Sequence, residues 1–383
     1  VKSIVRLRVL LISFGQLNGL LLKLLARLPE VQEVVVATRE PTRAEPALNL
    51  ARMAAGAEDL FPRLRAVACD FNQTETAART LGAIRPDVTF AAPSLQSWWV
   101  LEQIPPAAAA SLRAAGYGAW LPLQLAPMMR LMKAWKLSGV ATPLISAPYP
   151  DVVNPILSTQ DLAPTCGVGN VDEIVPKLRW RVAESMAIGP GEVRVFLAAH
   201  HALETFVFRA AAPAEPAPPY LLRIEGGGKV FDSPDDAHRW LLEPYPLARG
   251  LDFHFLTAGS AIRLIRALGA GPGVKTALHV PGPKGLPGGY PVVVEEGKVA
   301  LDLAPGWSLE QAIEVNRASH RWDGIDSIAE EGSFQYTDRT ATILHDQLGF
   351  DRKKIAPGEV DSAARELSDR FAEYVRRFQE GSL

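Results

Sequence analysis

Apolar and polar positions follow two rhythms along the first half of the chain. A short apolar run, Val9-Leu10-Leu11-Ile12, has the length and continuity of a strand covered on both faces. It breaks at Ser13-Phe14-Gly15-Gln16-Leu17-Asn18-Gly19, and a leucine-rich stretch with helical spacing runs on to Leu28. The pattern then repeats, with strands at Val34–Ala37, Leu64–Ala68 and Asp87–Ala92, helices at Glu75–Ile84 and Met128–Ser138, and a short strand at Thr142–Ala147. Alternating strands and helices predict a right-handed parallel sheet. After the Pro148-Tyr149-Pro150 turn, Val152-Val153-Asn154-Pro155 reads as a strand ending at Asn154.

The second half mixes its signals. Val193–Ala199 reads as a strand, and Pro291–Val294 with Lys298–Leu303 as a hairpin around Glu295-Glu296-Gly297. Ser308 caps a helix reaching Ala318, and Val360–Phe378 is an amphipathic closing helix with Val360, Leu367, Phe371, Tyr374 and Phe378 on one face. Ala210–Pro219 is a flexible excursion, and His279–Tyr290 holds too much proline and glycine for a regular element. The expected architecture is α/β: an N-terminal parallel-sheet domain over 1–154, then an α/β (α+β) catalytic domain over 155–383 with a C-terminal helical extension.

Composition narrows the partners. Apolar residues make up 48% and charged residues 21%, which describes an ordinary globular protein. Net charge is −2, and no lysine–arginine cluster with interleaved aromatics is present, so nucleic acid is not an expected partner. Gln16, Asn18 and Lys23 interrupt the best apolar window, which falls short of the roughly 18 residues of a membrane span; the glycine turn likewise interrupts any signal-peptide core. Two cysteines, Cys69 and Cys166, fit no disulfide framework and point to a reducing compartment. The expectation is a cytoplasmic enzyme of a small-molecule substrate, without membrane or nucleic-acid partners, and a homodimer or higher homo-oligomer.

Strand, glycine turn and helix together are how a dinucleotide-binding Rossmann unit begins: main-chain N–H groups approach a pyrophosphate at a helix N-terminus. Gly15 keeps the close-approach position, while Ser13 and Asn18 stand where the other glycines of that fingerprint would be. Ser13, Gly15, Gln16 and Leu17 are therefore cofactor candidates. At the end of the second strand, Thr38 and Arg39 replace the acid that selects NAD, so NADP is preferred over NAD; alternatively Arg39 is a solvated loop residue. Pro93 and Ser94 sit where the nicotinamide end of the cofactor is expected.

The densest polar constellation runs from Asn154 to Glu204. His200 and His201 close an apolar strand, a place suited to an acid/base whose pKa lies near neutrality. Asp172 is the candidate carboxylate to orient one of them, and Asn154 a candidate partner for the reacting oxygen. His238, His320 and His345 read as surface or helix residues, while His254 faces into the site or out. Lys284 and Tyr290 belong to a candidate substrate-covering loop.

These residues resemble the lactate/malate dehydrogenase superfamily, which includes the family 4 glycoside hydrolases, over roughly residues 8–319. The likeness runs through the glycine turn, Asn154-Pro155, GVGNVDEIVPKLRWRVAESMAIGPGEVRVFLAAHH and the segments beginning at Thr257 and Gly289. It implies an NAD(P)-dependent oxidoreductase in which Asn170-Val171-Asp172 and His200 or His201 hold the family's helix and histidine positions. Asn170, Lys177, Thr257 and Ser260 would line the substrate. The glycosidase branch holds a metal through a cysteine and a histidine, but Gly169 stands at the cysteine position, so no metal is expected, with Cys166 and His201 as the alternative pair; a third possibility is a non-catalytic nucleotide-binding protein. The family's substrate arginines have no counterpart, because Val175 stands three residues after Asp172 and Ser94–Gln103 has no arginine. With Trp98-Trp99 in place of a mobile lid, this implies a substrate larger or less charged than a 2-hydroxy acid.

Overall fold

The computed structural model describes residues 6–209, 216–248 and 250–380, with only the main chain described at Trp98, Trp99, 234–236 and 380. Most of the Ala210–Pro219 excursion, and the side chains of Trp98 and Trp99, thus lie outside the described parts. Six strands form a parallel sheet in the order β3-β2-β1-β4-β5-β6: β1 (Leu7–Ile12), β2 (Val31–Thr38), β3 (Arg63–Ala68), β4 (Val88–Ala91), β5 (Leu144–Ser146) and β6 (Cys166–Gly167). The register pairs Val9 with Val34 and Leu11 with both Val36 and Phe90.

The near-continuous apolar strands are explained by burial on both faces. Leu10, Ile12, Val35 and Ala37 point to one core, shared with α3 (Thr74–Ile84) and α5 (Leu121–Ser138). Val9, Leu11, Val34 and Val36 point to the other, shared with α1 (Gln16–Leu25), α2 (Pro41–Gly56) and α10 (His254–Leu268). Between β4 and α5, α4 (Pro106–Arg113) precedes a turn at Tyr117–Trp120.

Asn154 does not end a strand. It lies in α6 (Pro150–Ser158), where Pro150 takes the first helical position and Asp151 the first turn. The β-branched pair Val152-Val153 suggests a strand, but proline at a helix start and an acid against its N-terminus outweigh that local preference. Next come α7 (Val171–Met186), β7 (Arg194–Ala198), α8 (Glu204–Val207), β8 (Leu221–Gly226), β9 (Lys229–Phe231) and α9 (Pro234–Leu242). The β7-β8-β9 sheet is antiparallel, and an Ala199–Gly289 bridge joins it to the start of a later strand.

A second antiparallel sheet holds β10 (Lys275–Pro281), β11 (Gly289–Glu295) and β12 (Lys298–Leu301), followed by α11 (Leu309–Ser319), which Ser308 and Gln311 cap reciprocally. The segment His279–Tyr290 is no lid: it closes β10 and opens β11 through a packed turn. A Cβ on Gly282 would lie 2.5 Å from Asn154 Nδ2, and one on Gly288 only 2.0 Å from Asn316 Oδ1.

The remaining chain folds back on the first sheet. β13 (Ile325–Ile328), β14 (Phe334–Tyr336), α12 (Asp338–Leu348), β15 (Lys354–Ile355) and α13 (Val360–Glu380) bury Ile325, Tyr336, Leu344, Leu367 and Phe371 in the same core as α3 and α5. A cut at 154/155 therefore passes through a shared core. Among the described residues, no helix is long and apolar enough to cross a membrane.

Candidate active site

The carboxyl edge of the parallel sheet carries a cleft of about 140 Å³ lined by Gly15, Gln16, Leu17, Ser94, Tyr117, Gln124 and His254, among others. Gly15 precedes α1, and a Cβ placed there would meet nothing within 4 Å. That opening, with the unpaired first N–H groups of α1 behind it, fits a phosphate approaching the main chain. Ser13, with φ of 69°, donates from Oγ to the Ala92 carbonyl, while the Asn18 amide donates to Ile12 and Ser13. These side chains brace the turn where glycines would otherwise stand. Thr38 ends β2 half-buried, Arg39 is exposed beside it, and Pro93 links the cleft residues Ala92 and Ser94. A larger hollow of about 570 Å³ lined by Trp180, Arg181 and Tyr245 holds none of the polar groups described next.

Beside the cleft, Tyr117 brings its ring to 4.7 Å from that of His201. His201 Nδ1 lies 2.7 Å from Asp323 Oδ2, and its main-chain N–H donates to Asp151 Oδ1 at 2.9 Å. Asn170 donates its amide to the other Asp151 oxygen, and Tyr149 OH donates to Asp323 Oδ2 at 3.0 Å. His201 Nε2 makes no hydrogen bond among the described residues and lies 4.0 Å from Glu204 Oε2. Glu204 and Thr257 both neighbour Glu173, and Glu204 Oε1 is buried without a hydrogen-bond partner among the described residues.

The chain reaches this arrangement through strained main chain. Ser13, Tyr149 and Asn170 have φ of 69°, 45° and 55°, each just past the end of β1, β5 or β6. Non-glycine residues in this region cost about 1–3 kcal/mol each and persist where the surroundings hold them, often at functional sites.

Electrostatics separates the two histidines. Burial pulls His201 down, but Asp323, Asp151 and Glu173 outweigh it and leave its pKa raised. Burial and the neighbouring His320 hold His200 well below the ordinary value, so it stays neutral. Its Nδ1 accepts from the Ala202 N–H at 3.2 Å, capping the 201–203 turn. Burial alone would raise Asp323, but bonds from His201 and Tyr149 keep it low and ionised. Asp151 is pushed up to about 6 by burial, and Glu204 well above the carboxylate range by burial and then by Glu173. A histidine with an ionised carboxylate on one nitrogen and, among the described residues, no hydrogen bond on the other can exchange a proton.

Several expected site residues are engaged elsewhere. Asp172 does not orient a histidine: it accepts from Ser260 Oγ at 2.8 Å, the His279 N–H at 3.2 Å and Arg263 at 3.4 Å, tying α7 to α10 and β10. Ser260 is spent on that bond. Asn154 accepts from Ser146 Oγ at 2.8 Å and donates to the Gly282 carbonyl, holding the packed turn. Lys177 is 2% exposed and donates to the carbonyls of Val207, Leu241 and Glu243. Tyr290 is buried and bonds Pro287 O, while Lys284 sits in the turn between β10 and β11. Cys166 lies inside β6, where burial pushes its thiol up to about 12, away from the thiolate a metal requires. His201 Nδ1 is already taken by Asp323, so the Cys166–His201 metal pair gains no support.

Asp323, Asp151, Tyr149, Tyr117, Glu173 and Glu204 carry no sequence motif for this site. Asp323 lies 122 residues from His201, and only the fold joins them.

No family model matches this chain, and no curated protein does. Solved structures do match. A lactate dehydrogenase from Eimeria maxima, determined with NADH and oxamate, superposes with a TM-score of 0.54 at 13% identity, covering 82% of this chain and 91% of that one. A Cryptosporidium parvum malate dehydrogenase gives 0.53 at 12%, covering 83% and 96%. A minor L-lactate dehydrogenase from Enterococcus mundtii gives 0.52 at 12%, with the same coverage. The fold is that of the lactate and malate dehydrogenases, as the sequence resemblance implies.

Proposed function

We propose that this chain is an NAD(P)-dependent oxidoreductase acting on a hydroxyl-bearing carbon, with His201 as acid/base and Asp323 as the residue that orients it. The observation carrying this reading is the continuity of the site: the cleft opening at Gly15 is walled by Tyr117, whose ring lies on His201. The first N–H groups of α1 would hold the pyrophosphate, and Thr38 with Arg39 the adenosine end, where a cation favours a 2′-phosphate and hence NADP. A bound nicotinamide supplies or accepts the hydride, two electrons with one proton. The protein handles the second proton. His201 Nε2 takes it from the substrate hydroxyl in oxidation and returns it to the carbonyl oxygen in reduction. Asp323 fixes the ring through Nδ1 and stabilises the imidazolium, and the Asp151–Asn170 pair anchors the His201 main chain.

Fluorescence titration with NADPH and NADH tests this. A Gly15→Asp variant puts a carboxylate into the phosphate approach while meeting no atom within 4 Å, and aspartate is a favoured helix N-cap. It is expected to keep its melting temperature and lose nucleotide affinity by about a hundredfold or more, two charge-assisted bonds' worth. Arg39→Asp is expected to shift preference toward NADH. Absence of nucleotide binding by the unmodified protein, or equal binding by Gly15→Asp, contradicts the reading.

A further inference from the structure

Four carboxyl groups surround His201, and among the described residues no lysine or arginine makes an ion pair with any of them. Asp323 and Asp151 hold its ring and main chain, Glu204 lies 4.0 Å from Nε2, and Glu173 neighbours Glu204. On α7 and α10, Arg263 bonds Asp172 and the Ala277 carbonyl, Lys177 bonds its carbonyls, and Arg179 lies by Arg263 and Asp172. Val175 is buried among apolar neighbours. On the cleft wall Gln124 is 5% exposed; its amide donates to Tyr117 OH, and its Oε1 is buried without a partner among the described residues. The site therefore offers acceptors and negative charge. Four carboxyl groups thus face one imidazole that can counter them.

We propose that the substrate of this site carries an ammonium group beside its hydroxyl-bearing carbon, received by the Glu173–Glu204 pair and Asp151. This rests on the oxidoreductase reading and gives its substrate class. Burial raises Glu204 and Asp151; His201 relieves Asp151 only in part, Glu173 raises Glu204 further, and a bound cation would relieve both. A substrate carboxylate at the same place would add a further like charge to a desolvated cluster, where repulsion is least screened. The chemistry is unchanged: the alcohol carbon loses a hydride to the nicotinamide, the hydroxyl proton goes to His201, and the ammonium group is carried through intact.

Three molecules share one secondary alcohol and differ only in the neighbouring group: 1-amino-2-propanol, 1,2-propanediol and lactate. With NADP⁺ and NAD⁺ at matched ionic strength, kcat/KM is expected to fall in that order, by at least about tenfold at each step, the scale of one partly screened charge contact. Calorimetry on the nucleotide-free protein is expected to give the same order of affinity. Glu204→Gln, and separately Glu173→Gln, are expected to bring the amine-to-diol ratio toward one, with melting curves confirming that each is folded. Lactate equal to or better than the diol, or an amine no better than the diol in both assays, overturns the proposal. Failure of nucleotide binding would instead remove the hydride chemistry, and the calorimetric order would still decide the charge preference.

Discussion

His200 and His201 are neighbours in sequence, yet one is a neutral cap and the other is paired with a carboxylate. The difference lies in how closely Asp323 meets each Nδ1: 2.7 Å for His201, against 3.6 Å for His200, whose Nδ1 is spent on the Ala202 N–H. His201 has its pKa raised above 6.5, so it is protonated below that value and neutral well above it. Carbonyl reduction, which needs the imidazolium, is expected to hold at low pH and fall as pH rises through this pKa; alcohol oxidation is expected to rise over the same window. Asp323→Asn removes the charge that raises the pKa. Both inflections should move to lower pH, with kcat/KM down by about a hundredfold or more; pH profiles of the two directions check this, and unmoved inflections would dissociate Asp323 from the proton transfer. The histidine pair was legible because twin imidazoles at a strand end are rare. Its carboxylate was not, since Asp172 has the right type and spacing but spends its oxygens on Ser260, Arg263 and the His279 N–H.

At the scale of elements, periodicity located most of the parallel strands and their helices, because strands buried on both faces read as apolar runs. It failed at α6, where β-branched residues imitate a strand, and at 279–290, where glycines that look like freedom are instead points of close packing. The same packing positions the site. Gly116, at φ of 85°, has no room for a Cβ, which would lie 2.5 Å from the Asp323 main chain. Gly118 is equally confined, at 2.7 Å from Asp323 O. The Tyr117 turn and the Asp323 turn are thus pressed together across the sheet edge, with His201 between their side chains. Gly116→Ala must displace one turn from the other and adopt a left-handed backbone unfavourable to alanine. It is expected to cost about 1–3 kcal/mol in denaturant unfolding and to lower kcat more than nucleotide affinity. A variant with unchanged kcat would show that this contact does not position Asp323.

For the whole molecule, the C-terminal segment is part of the proposed site and of the first core at once. It carries Asp323 to the site, then buries α12 and α13 against α4 and α5. The amphipathic stripe of α13 could be read from sequence; its landing place could not, because a stripe specifies burial and leaves the partner open. Phe371 meets Trp120 edge-on at 5.2 Å, and Trp120 ends the turn that begins with Tyr117. Phe371→Ala is expected to destabilise the protein by about 3–5 kcal/mol, measured by denaturant unfolding, and to do so cooperatively with loss of activity. Separate transitions for the segment and the sheet would contradict a common core.

The central claim is that the nucleotide cleft leads to His201, and crystals grown with saturating NADPH address it directly. The account predicts phosphates against the N–H groups after Gly15, adenosine at Thr38 and Arg39, and the nicotinamide C4 within one substrate's width of His201 Nε2. Electron density for a nicotinamide directed away from Tyr117, or none in the cleft at saturation, would contradict it.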